Sequence, residues 1–239
     1  MLKQLTNNIY YLPATDEADR PTLGYIKGTR CSLIVDAGNS KEHTDLFQQE
    51  LYKANLPIAD YVAITHWHWD HTFGMHAIAG KTIASRLTNE RLKTVATWEW
   101  TEEAMQHRLQ TGEDITFCDT HIRVEYPNRN QIVVKTADVV FENHLTIDLG
   151  NLTCELIRVG GPHSEDSVII YVPEEKVLFM GDVDCSDYYH NNGKYDKVKL
   201  EELIQILEAI DFTIGVLGHD LPQSKQEIID YQKEELAKI

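Results

Sequence analysis

Thr65-His66-Trp67-His68-Trp69-Asp70-His71 places three imidazoles and a carboxylate within six positions, directly after the apolar run Tyr61-Val62-Ala63-Ile64. Imidazole nitrogen and carboxylate oxygen are the ligands that borderline divalent cations such as zinc, manganese or ferrous iron accept, so the stretch reads as a metal site. No cysteine falls within it, which argues against a closed structural zinc. Side chains of an extended segment repeat on every second residue, so His66 and His68 share a face and can grip one ion. Asp70 and His71 lie just beyond, placed for a second ion. The same alternation turns Trp67 and Trp69 away from the ions, to pack beneath them.

Three further predicted strands lead through glycine to a metal-capable residue. Val159 runs into Gly160-Gly161-Pro162-His163, Met180 into Gly181-Asp182, and Leu217 into Gly218-His219. Glycine lets the backbone turn sharply there and approach an ion without a side chain intervening. One Gly-His pair alone would be an ordinary turn; the repetition at strand ends marks His163, Asp182 and His219 as candidate ligands. His43, His76, His107, His121 and His144 lack this context and read as surface or structural residues.

The 239 residues, 42% hydrophobic and without repeats or low-complexity segments, suit one domain spanning 1–239. Thirty-eight acidic against 22 basic residues give a formal net charge of −16, with no basic face in the sequence, so nucleic acid is not expected as a partner. The polar N-terminus resembles no secretory signal and no stretch matches a membrane span. Cys31, Cys118, Cys154 and Cys185 form no Cys-x-x-Cys pair and are expected as free thiols. These features predict a cytoplasmic protein acting on a small molecule, and leave its oligomeric state open.

Short strands are predicted at Ile9 to Leu12, Gly24 to Lys27 and Ser32 to Asp36, the last two a hairpin through Gly28. A helix capped by Ser40 follows to about Asn55, then the strand Tyr61 to Thr65, a helix over Thr72 to Ala79 and a strand over Lys81 to Ala84. The spacing of Leu92, Val95, Met105 and Leu109 predicts a helix from Arg86 to Gln110, while 112–137 reads as irregular; together 86–137 look like a lid or insertion. Strands return at Val139 to Phe141, Leu145 to Ile147, Thr153 to Val159, Val168 to Val172, Lys176 to Met180 and Ile214 to Leu217. Helices are predicted over Val198 to Ile210 and Gln226 to Lys238. Two strand-rich halves, each ending in helices, imply an α+β fold of two packed sheets with helices outside.

The order His66, His68, Asp70, His71, then His163, Asp182 and His219, resembles the His-x-His-x-Asp-His, His, Asp, His pattern of the metallo-β-lactamase fold superfamily, and the resemblance covers nearly the whole chain. It implies a four-layer αββα sandwich with two divalent metal ions, foremost zinc, with manganese or iron as alternatives. His66, His68 and His163 would hold one ion, Asp70, His71 and His219 the other, and Asp182 would bridge them. A hydroxide between the ions would attack a small ester, thioester, lactone, amide or phosphoester, and Asp70 would also orient or deprotonate the attacking water. The secreted zinc β-lactamases differ at the Asp182 position, so antibiotic hydrolysis is not the expected role. Glyoxalase II enzymes append a helical domain for which the twenty residues after His219 leave no room, and ribonuclease Z-like members need an RNA-gripping arm. Lactonase-type members place a tyrosine soon after the bridging aspartate. Tyr188 or Tyr189 could correspond to it, and Tyr188, Tyr189, His190 and Asn191 are therefore candidate partners for a developing oxyanion. Two rivals remain: a mononuclear iron dioxygenase of the persulfide dioxygenase type, and a non-catalytic metal-binding module.

Overall fold

The computed structural model describes residues 1–239. Strands β1 (Lys3–Gln4), β2 (Ile9–Leu12), β3 (Leu23–Lys27), β4 (Ser32–Val35), β5 (Tyr61–Ala63), β6 (Lys81–Ser85) and β7 (Val139–Phe141) form one sheet in that order, antiparallel up to β4 and parallel from there on. The second sheet contains β8 (His144–Asp148), β9 (Thr153–Arg158), β10 (Val168–Val172), β11 (Val177–Gly181), β12 (Ile214–Leu217) and β13 (Gln223–Ser224) in the order β13-β12-β11-β10-β9-β8. Only its β11–β12 pair is parallel.

The central strands carry continuous apolar runs because both of their faces are covered. In β10, Val168, Ile170 and Val172 point between the sheets while Ile169 points out; in β11, Val177 and Phe179 point in and Leu178 and Met180 out. In β4, Leu33 and Val35 face that same inner core and Ile34 faces away. The outer face of the first sheet is covered by α1 (Lys41–Lys53), through Phe47 and Leu51, and by Leu92 of α3 (Arg86–Val95). The outer face of the second is covered by α6 (Lys197–Ala209), through Leu203 and Leu207, and by α7 (Lys225–Leu236), through Ile228 and Ile229. The result is the expected αββα layering.

Local signals set the helix starts. Ser40 accepts from the His43 N–H, Asp196 from the Lys199 N–H, and Ser224 forms a capping box with Glu227. Three expectations need correction. The helix beyond the histidine cluster begins earlier, as the single turn α2 (Trp69–Thr72), and continues as a 3-10 turn over Phe73–His76. The 86–110 helix is two: α3 ends at Val95 and α4 (Glu102–Thr111) restarts under a Thr101 cap. Trp98 and Trp100 in the break clasp the buried Arg108 guanidinium, 4.5 and 4.8 Å from their ring centres. The 112–137 segment is not irregular throughout, because it contains α5 (Thr116–Glu125), whose Cys118 and Ile122 join Trp67, Trp69 and Phe73 in a separate cluster. No helix is long and apolar enough to cross a membrane.

Phe179 fills the space opposite Gly24, where an added Cβ would overlap its ring. Phe179→Ala should lower unfolding free energy by about 3–5 kcal/mol, and Gly24→Ala by about 1–3 kcal/mol through overpacking, both measurable by urea denaturation.

Candidate metal centre

The C-terminal ends of β5, β9, β11 and β12 open on one edge of the sandwich, and the candidate ligands follow them. The structure gathers His66, His68 and His163 in one group and Asp70, His71, Asp182 and His219 in a second, the ligand atoms of each lying within 4.8 Å of one another. Asp182 faces both groups, with Oδ1 3.3 Å from His71 Nε2, and Oδ2 3.4 Å from His219 Nε2 and 3.7 Å from His163 Nε2. The glycines are sterically required. Gly181 has φ +52° and an added Cβ would sit 2.6 Å from Thr65 Oγ1, while one on Gly218 would collide with Asp182 Oδ1.

Hydrogen bonds behind the rings fix which nitrogen faces the site. Asp36 Oδ2 accepts from His71 Nδ1 at 2.8 Å, and Ser186 O from His163 Nδ1 at 2.9 Å, leaving each Nε2 to the cluster. Thr65 Oγ1 donates to Asp36 and so accepts from His66 Nδ1 at 3.1 Å. His68 is turned the other way, with its Nδ1 2.9 Å from His163 Nε2. Asp36 also accepts from the Thr65 N–H at 2.8 Å, tying the end of β4 to the chain that carries the histidines. The sequence reading passed over Asp36; its signal was a carboxylate ending the apolar run Leu33-Ile34-Val35, held at φ +62°.

Burial drives His66 and His68 well below the ordinary imidazole range, into the neutral form that a metal ligand needs. It acts the same way on His71 and His219, but the carboxylates of Asp70 and Asp182 outweigh it and raise both. Asp70 and Asp182 are lowered in turn: burial raises them, and the adjoining His71 and His219 more than reverse it. His66 Nε2, His71 Nε2 and Asp182 Oδ1 are buried without a hydrogen-bond partner. The neutral His66 Nε2, the anionic Asp182 Oδ1 and the His71 nitrogen, which gives up its proton on ligation, fit divalent cations, with three donor residues in one group and four in the other.

A cavity of about 490 Å³ opens over this cluster. Its walls are the 14–19 loop, α5 through Ile115, Phe117, Cys118 and His121, and the loop carrying Cys185, Tyr188 and Tyr189. His121, expected as a surface or structural residue, lines it, with Nδ1 bonded to Phe117 O at 2.8 Å. Two walls are locked together: the Glu125 carboxylate, its side chain only 4% exposed, receives Arg20 Nη2 at 2.8 Å and the Ser40 hydroxyl, while Asn39 Nδ2 donates to Ala18 O at 2.7 Å. Ala18 and Asp19 are held at φ +57° and +53° there, and Asp19 lies 3.6 Å from His219 Nδ1.

The 188–191 loop divides. Tyr188 is half exposed at the cavity mouth. Tyr189 lies against His68, ring centres 5.1 Å apart, with its hydroxyl committed to Asp114 Oδ1 and Cys118 Sγ, 3.3 Å from each. His190 and Asn191 do not line this cavity: His190 bonds Asp187 at 3.2 Å, and Asn191 Nδ2 donates to Lys194 O at 3.0 Å. Trp67 and Trp69 are buried as expected, Trp67 beneath the Arg91 guanidinium at 4.4 Å.

Burial pushes the Asp114 carboxyl from 3.8 up to about 6. Folding then favours its protonated form, so its contribution to stability is present below about pH 4 and lost as pH rises through about 6. Asp114→Asn keeps an acceptor for Tyr189 and should flatten this part of the stability profile, gaining on the order of 1–3 kcal/mol at pH 7 in denaturation curves.

The family described as the metallo-beta-lactamase superfamily matches residues 20–219 of the chain. No curated protein matched the sequence. Among solved structures, the chain is similar over its full length to a metallo-beta-lactamase from Pontibacter korlensis (18% identity, 99% of that chain, TM-score 0.67). Over 98% of its length it is similar to a metallo-beta-lactamase family protein from Thermus thermophilus (14% identity, 80% of that chain, TM-score 0.68). It also matches 40% of the length of the stereoselective inverting sec-alkylsulfatase from Pseudomonas sp., with 98% of this chain covered (17% identity, TM-score 0.70).

Proposed function

The chain belongs to the metallo-beta-lactamase superfamily, and we propose that it is a dinuclear metal-dependent hydrolase of a small ester, thioester, lactone, amide or phosphoester. Family membership and the candidate ligands support metal-dependent hydrolysis as the general activity. The finer reading rests on one observation: seven donors divide into two groups, with the Asp182 carboxylate turned to both.

Two divalent ions, zinc foremost, would supply a water with its pKa lowered from 15.7 toward about 7 and would polarise a carbonyl or phosphoryl oxygen. The protein's own groups do the rest. Asp36, Thr65 and Ser186 hold the imidazoles in the tautomers that present a lone pair to the site. Asp70, whose Oδ2 lies 3.0 Å from His71 Nε2 and 3.1 Å from His219 Nε2, would orient a water and accept its proton. Ile115, Cys118 and the Tyr189 ring line the approach and limit bulk water around the reacting bond. Burial keeps the Cys118 thiol protonated, which suits a mechanism needing no side-chain nucleophile. Four free cysteines fit a reducing cytoplasm.

Protein loaded separately with zinc, manganese and iron should turn over members of a thioester, lactone, β-lactam and phosphodiester panel without oxygen, with two ions per chain. One iron per chain and oxygen uptake on glutathione persulfide would overturn this reading in favour of a dioxygenase. Asp182→Ala should lower the metal-to-protein ratio in elemental analysis and cut turnover more than about 100-fold. Full metal retention with normal turnover would sink the bridging role.

A further inference from the structure

We infer that the cavity over the ligands receives a substrate carrying an ammonium group at the end remote from the reacting bond. The inference takes the reacting end from the proposed hydrolysis and the remote end from the cavity lining. The ligands form the floor of the 490 Å³ cavity. At its mouth stand Asp16 and two rings that are largely in solvent, Phe117 at 51% and Tyr188 at 56% exposure. Farther in are Asp19 and the Tyr189 ring, and no lysine or arginine lines any part of it.

Aromatic faces attract cations through the negative face of the ring quadrupole, and ring clusters with carboxylates are the chemistry that recognises quaternary ammonium. An anionic remote end would shed hydration against Asp16 and Asp19 without gaining a fixed partner. His121, the one imidazole of the wall outside the candidate ligands, has Nδ1 tied to the Phe117 carbonyl. Fixed cations lie instead in a separate groove of about 520 Å³, which shares His68, His163 and Tyr189 with the cavity and carries Arg91 and Lys199. There Arg91 covers Trp67, and the carboxyl groups of Glu90, Glu165, Asp166 and Asp187 outnumber the two cations along the same groove.

Three phenols of matched shape test this by calorimetry on zinc-loaded protein: 3-hydroxy-N,N,N-trimethylanilinium, its neutral isostere 3-tert-butylphenol, and 3-hydroxybenzenesulfonate. The cation should bind roughly tenfold tighter than the isostere, and the sulfonate weakest. Asp16→Asn and Phe117→Leu should each shrink the ratio of cation to isostere binding several-fold. Equal binding of cation and isostere, or no measurable binding of the cation at millimolar concentration, overturns the inference. Tightest binding by the sulfonate, lost in Arg91→Ala, also overturns it and assigns the remote end to the groove. Turnover of the corresponding acetate esters is read separately. A binding preference without hydrolysis of these esters or of any member of the thioester, lactone, β-lactam and phosphodiester panel defeats the hydrolase reading alone, and hydrolysis without a charge preference defeats this inference alone.

Discussion

The buried carboxylate of Asp36 is the fixed point from which the candidate metal centre is built. It takes the Thr65 N–H, the Thr65 hydroxyl and His71 Nδ1, so one anion joins the end of β4 to the segment leaving β5 and orients two histidines. A carboxylate 1% exposed is costly unless each lone pair is used, and here the partners supply that compensation. The parallel β4–β5 pairing brings these groups into range, and the sheet-to-sheet core that holds β4 therefore also holds the site.

The arrangement concentrates charge where the molecule is least hydrated. Asp70 and Asp182 sit within a ring of imidazoles whose Nε2 and Nδ1 atoms converge, and the structure balances them through His71 and His219. Metal ions held by these groups would replace those protons, so ligation would release protons and tighten as pH rises. The same electrostatics explain why an overall charge of −16 does not describe the site: most of it is spread over solvated surface, and the local balance is set by few groups.

Much of this was legible in the residues. The apolar runs Leu33-Ile34-Val35 and Val168 to Val172 read as strands, and glycine before Asp182 and His219 marked where strands open on the cluster. What the residues concealed was tertiary. Asp36 looks like any strand-ending aspartate until Thr65 and His71, 29 and 35 positions away, are brought onto it. The break between α3 and α4 follows from Arg108 lying against Trp98 and Trp100, contacts that helical periodicity does not encode. Helix α5 escaped notice because its one apolar stripe packs on Trp67, Trp69 and Phe73, which are remote in sequence. His121 was passed over for a related reason: only the placement of α5 puts it beside the ligands.

Tyr189 stands as a partition. Its ring borders both the cavity and the adjoining groove, rests on His68 and Trp67, and is anchored at its hydroxyl by Asp114 and Cys118. A reactant coming through the cavity therefore presents one side to the cluster and finds a wall on the other. The two faces of a planar carbonyl, or two enantiomers, would meet different surroundings there, so handedness would be sensed by a residue that need not touch the reacting atoms.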